Sequence, residues 1–200
     1  MADPESLGEH QGLPVLYFAD AAAWGVWLAA NHSTGRGAWL AIAKVATGES
    51  SVSYDDALDL ALCHGWIDGQ KQGRGDGVWL QKFSPRGPRS VWSLRNREKA
   101  ETLVAAGRMV PAGLDAVEAA KRDGRWGRAY GLGRHRGVPK DLQAALDGEP
   151  AAAAFFAALD SRNRYAVLYR VQTAKKAETR ARRIADFVAM LARGETIHPA

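Results

Sequence analysis

Two hundred residues with 46% hydrophobic and 24% charged side chains have the composition of an ordinary globular chain, and exclude a disordered or fibrous one. The single cysteine, Cys63, excludes an internal disulfide and a cysteine-built metal site, and fits a reducing, cytoplasmic setting. The net charge of +5 is unevenly placed: residues 1–70 carry −7 and residues 71–140 carry +10, so the basic middle meets either an anionic partner or the chain's own acidic part.

Residues 1–14 hold Asp3, Glu5 and Glu9 with no apolar run, which reads as a flexible tail and not as a signal peptide. Asp20 caps a helix with Trp24, Trp27 and Leu28 inward, and GAWLAIAKV at 37–45 reads as a strand. Ser53, with Asp56 three residues on, starts a helix that stops at Gly65. Residues 66–71 and 78–83 then form two strands around the glycine-rich turn 73–77. Pro85 and Pro88 stiffen a connector, Ser90 caps a helix ending at Gly107, and Pro111 opens another with Leu114 and Val117 inward. Residues 123–138 are a glycine-rich connector. Beyond them the pattern is helical throughout, with Ser161 capping a helix that carries Tyr165, Leu168, Tyr169 and Gln172 on one face.

The class is therefore α+β: a small antiparallel sheet of about three to four strands packed with helices, then an all-helical C-terminal lobe. The domain reading is a tail over 1–14, an α+β domain over 15–122, the connector over 123–138 and a helical lobe over 139–197. No apolar run approaches the roughly 20 residues of a spanning helix, so membrane insertion is not expected.

The densest chemistry lies in ALCHGWIDGQK (61–71) and FSPRGPRSVWSLRN (83–96). These segments resemble the ALCFGWIDG signature and the following PR-x-x-x-S-x-W-S-x-x-N element of the YdeI/OmpD-associated, or bacteriocin-protection, family. GRMVPAG (107–113) and TAKKAETRARRI (173–184) resemble further stretches of it, so the likeness runs over roughly residues 15–197, with His64 where the family more often has Phe. The resemblance implies a role in bacteriocin protection or stress, and no defined molecular activity.

Read from the residues, Asp68 has two roles open to it. It acts as a general base, or holds an amine or guanidinium; or it pairs with Arg86 or Arg89 and fixes the hairpin. Arg86 and Arg89 flank Pro88 and form the best anion-site candidate, helped by Ser90 and the helix start, unless acidic side chains consume them. Trp92 and Asn96, four apart with Ser93 adjacent, suit a small planar ligand or a plain core and loop tie. Trp66 and Lys71 complete the candidate ligand-binding set of Trp66, Asp68, Lys71, Arg86, Arg89, Trp92, Ser93 and Asn96. Cys63 reads as a small buried hydrophobe, and the five scattered histidines show no ligand spacing, so neither metal nor cofactor is expected.

Three functions remain: a non-catalytic module for a small or anionic ligand, an enzyme using Asp68 as acid/base on an anionic substrate, and nucleic-acid binding. The last would use the basic middle together with Lys175, Lys176, Arg180, Arg182 and Arg183.

Overall fold

The computed structural model describes residues 5–75, 77–131 and 137–199. The chain divides into two compact units, Met1–Gly127 and Arg128–Ala200, and the division falls inside the glycine-rich stretch 123–138.

The first unit opens on two strands, β1 (Glu5–His10) and β2 (Leu13–Tyr17). The tail expected over 1–14 is therefore a hairpin from Glu5 onward; residues 1–4 lie outside the described residues. Both turn residues have positive φ, 51° at Gln11 and 71° at Gly12, as a two-residue type I′ turn requires. Glutamine at such a position is what hid the turn. Pro14 is tolerated because the pairing of β2 with its second neighbour starts only at Val15.

There follow α1 (Ala21–Asn31), β3 (Ala38–Ala43), α2 (Tyr54–Cys63), β4 (Trp66–Gly73), β5 (Val78–Pro85), α3 (Leu94–Ala105) and α4 (Pro111–Arg122). The sheet order is β1-β2-β3-β5-β4. It holds five strands, not three to four, and it is mixed: β2 and β3 run parallel because α1 carries the chain between them. The other neighbours are antiparallel.

Core forms on both faces. On one, Trp24 packs against Trp27, Phe18 and Phe83, and its indole N–H donates to Ala57 O at 3.1 Å, tying α1 to α2. On the other, Leu13, Val15, Trp39, Ala41 and Leu80 form a smaller cluster. The sheet coils around that cluster until its outer strands touch. His10 Nε2 lies 2.8 Å from Gln72 Oε1, and Arg74 donates to Leu7 O at 3.3 Å. Val117 is buried as expected, together with Gly113 and Ala120, but Leu114 is exposed.

The second unit is helical: α5 (Lys140–Asp147), α6 (Pro150–Ala158), α7 (Ser161–Gln172) and α8 (Ala177–Ala192). Leu142, Leu146, Phe156, Val167, Val171, Ile184 and Leu191 fill its centre. One local expectation is corrected. Asp160, not Ser161, caps α7 by accepting from Asn163 N at 2.6 Å. The buried face of α7 carries Asn163, Ala166, Val167 and Val171, leaving Tyr165 exposed and stacked on Tyr169 with centroids 5.7 Å apart.

Candidate functional site

The candidate residues lie along the β4–β5 ladder and the chain that follows it. Gly65, with φ of +73°, takes the left-handed position after α2 and turns the chain straight into β4. Trp66, 1% exposed, points inward. Its ring meets Trp27 edge-on at 5.9 Å and its N–H donates to His32 O at 3.1 Å, so Trp66 is core and lines no cleft.

Asp68 lies on the same face, half-buried. Tyr54, the first residue of α2, donates its hydroxyl to Oδ2 at 2.8 Å, and Asn96 in the first turn of α3 donates its amide to Oδ1 at 3.0 Å. The carboxylate thus joins the sheet to two helices. Burial, followed by the charge of Asp68, pushes the Tyr54 phenol well above its ordinary value. Just beyond Asp68 the β4–β5 register slips by a bulge before Lys71. Gln81, 3% exposed, donates to the carbonyls of Gly69 and Gln70 at 3.0 and 3.2 Å and so satisfies the backbone that the bulge frees. Lys71 is exposed, with its ammonium 4.1 Å over the Trp79 ring.

At the other end of the ladder the Arg86 N–H donates to Gly65 O at 3.0 Å. The Arg86 guanidinium lies 3.4 Å over the Trp92 ring and donates to Val91 O at 3.3 Å. Trp92 is buried and meets Trp126 edge-on at 4.8 Å. Gly87 to Ser90 form a tight turn: Ser90 N donates to Gly87 O, and Gly87 N donates to the Ser90 hydroxyl, each at 3.0 Å. Pro88 holds its second position and places Arg89 at the exposed tip.

The helix expected to start at Ser90 starts three residues later. Ser93 caps α3, its hydroxyl accepting from Asn96 N at 3.1 Å. Trp92 therefore precedes the helix and shares no helical face with Asn96, and Ser90 closes the connector turn instead of lending a helix N-terminus to an anion. Sequence reasoning placed the cap at the first serine after the prolines, where the Gly87–Ser90 turn had already used it.

The eight candidates do not line one cleft. Lys71 is registered with Gln81, and Arg86 follows five residues later along extended chain, about 16 Å away. Asp68, Ser93 and Asn96 gather at one place, Arg86 and Trp92 at a second, and Arg89 stands at a third. The acidic side chains of α2 are engaged away from Arg86 and Arg89. Asp55 pairs with Arg95 at 2.6 Å and Lys99 at 3.5 Å, Asp59 pairs with Lys99 at 2.7 Å, and Asp56 takes the Ser53 hydroxyl. Cys63 is buried, and burial raises its thiol away from the nucleophilic form. Tyr54 and Gln81 were missed by sequence reasoning. The Ser53 cap gives the helix position of Tyr54, but nothing local tells that its hydroxyl reaches Asp68.

A family model described as a domain of unknown function, DUF8412, matches residues 16–116. The chain belongs to this family. The DUF8412 match contains α1 to α3, the whole β4–β5 ladder and all eight candidate residues. A second model, described as bacteriocin-protection, YdeI or OmpD-associated, matches residues 136–194. The likeness to that family is thus borne out over the helical C-terminal part, while ALCHGWIDGQK and the Arg86–Asn96 segment fall in the DUF8412 match. Neither a curated protein nor a solved structure matches the chain. Among the described residues no helix is long and apolar enough to cross a membrane.

Proposed function

We propose that this chain is a non-catalytic stress or bacteriocin-protection module of the YdeI/OmpD-associated type, acting in the cytoplasm and taking a small anionic ligand at the Arg86–Arg89 connector. The observation that carries this reading is Arg89. It is exposed at the tip of a proline-stiffened turn and has no ion pair among the described residues. Arg86, three residues earlier, is held on Trp92 and anchors the connector from which Arg89 projects. The surroundings favour an anion, since residues 71–140 carry net +10. An acid/base role for Asp68 has less support, because both of its oxygens already accept hydrogen bonds that tie the fold together.

The test is thermal unfolding of the full chain against inorganic phosphate, citrate and a nucleotide. At least one should raise Tm in a saturable way, and Arg89→Ala should abolish the rise while leaving the unliganded Tm unchanged. A wild-type Tm indifferent to every anion, or a rise that Arg89→Ala retains, would sink the reading.

A further inference from the structure

The ends of α1 and α2 carry a feature that no anion reading uses. His32 is the C-cap of α1 and His64 the C-cap of α2, and their rings lie 5.4 Å apart between centroids, inclined by 58°. We infer that His32 and His64 form a two-histidine site for a borderline divalent transition-metal cation such as Zn2+.

The tautomers support this. Nδ1 of His32 lies 3.0 Å from Leu28 O, and Nδ1 of His64 lies 2.9 Å from Leu60 O. A carbonyl can only accept, so each Nδ1 carries the proton and each neutral ring keeps its lone pair on Nε2. Neither Nε2 has a hydrogen-bond partner among the described residues. Metal-binding imidazoles show this arrangement, with the remote N–H pinned on a carbonyl that fixes the ring. The separation fits as well: two imidazoles sharing one ion through Nε2 at about 2.1 Å, in tetrahedral geometry, hold their centroids roughly 5 Å apart.

Charge acts in the same direction. Each ring sits at the negative end of its helix, among the last-turn carbonyls, where a cation is favoured. Imidazole selects zinc, nickel or copper over magnesium and calcium, which prefer oxygen. Among the described residues no third histidine, cysteine, aspartate or glutamate joins the pair. Both rings are half-buried, so water would fill the remaining positions and the ion would exchange. Ligand spacing along the chain points to no metal here. These two ligands come from the ends of separate helices and have no such spacing.

The experiment is isothermal titration of the untagged full chain with ZnCl2. One saturable site is expected, weakened at least tenfold in both His32→Gln and His64→Phe and unchanged in His10→Gln. No saturable binding, or binding that both site variants keep, overturns the inference. Should a variant fold poorly, long-range 1H–15N spectra of the unaltered protein decide: Zn2+ should shift the Nε2 resonances of His32 and His64. Shifts confined to the other histidines would overturn it.

Discussion

Asn96 reaches from the first turn of α3 to Asp68 on β4, its amide donating to the carboxylate at 3.0 Å from a side chain only 5% exposed. One contact thereby fixes α3 against the sheet and supplies one of the two side-chain hydrogen bonds that this partly buried charge accepts. Replacing it by Leu leaves that oxygen short of a donor. Asn96→Leu should cost about 1–3 kcal/mol, read in urea as a lower midpoint at unchanged m.

Tyr54 gives this cluster a pH signature. Its phenol is raised by burial and by Asp68, so the folded state holds the proton more tightly than the unfolded chain does. The associated stability is whole below about pH 10, where an unfolded phenol ionises, and is lost as pH rises from there towards the folded value. Tyrosinate absorbance of the native protein should therefore show one phenol that ionises only on unfolding. Tyr54→Phe should remove that late step.

Gly113 marks a close approach between helices. A Cβ added there would lie 2.2 Å from Cys63 O and 2.9 Å from Leu62 O, at the end of α2. Gly113→Ala should push α4 away and destabilise by about 1–3 kcal/mol, with more for so short an approach. Gly25 in α1 is the control: an added Cβ meets only Leu60, at 3.6 Å. Gly25→Ala should stabilise by roughly 0.5–1 kcal/mol through helix propensity. Opposite shifts in Tm check both.

In the second unit Arg180 grips Asp141 with two bonds, 2.6 and 2.8 Å. The Arg180 hydrogen bonds hold the Asp141 carboxyl below its usual range, so this stability is present above the unfolded value and lost as pH falls through the folded one. The pair is partly exposed, which limits its worth to about 0.5–1 kcal/mol. Asp141→Asn should be less stable by that amount at pH 7. The gap from wild type should close as pH falls below about 4.

Much of the fold was legible because its signals are local. Asp20 and Ser53 cap helices through their own side chains, accepting from Ala23 N and Asp56 N. The glycines at 73–77 join two strands, and Pro111 opens α4. The α+β class, the helical C-terminal part and the family likeness all follow from such short-range patterns. The β1–β2 hairpin was lost because Gln11 occupies a position that glycine or asparagine would have announced.

Of the candidate site, the residue types were legible and the grouping was not. That Asp68 is tied to Tyr54 and Asn96, that Arg86 lies on Trp92, and that Lys71 stands apart at the far end of the ladder depend on strand register and helix docking. The pairing of His32 with His64 depends on them too. By itself the sequence determined most of the elements, the charge division and which side chains carry chemistry, since caps, turns and periodicity act over a few residues. Only the tertiary structure decided which of those side chains meet, because contacts between distant parts of the chain are set by how whole faces pack, and packing leaves no spacing in the sequence to read.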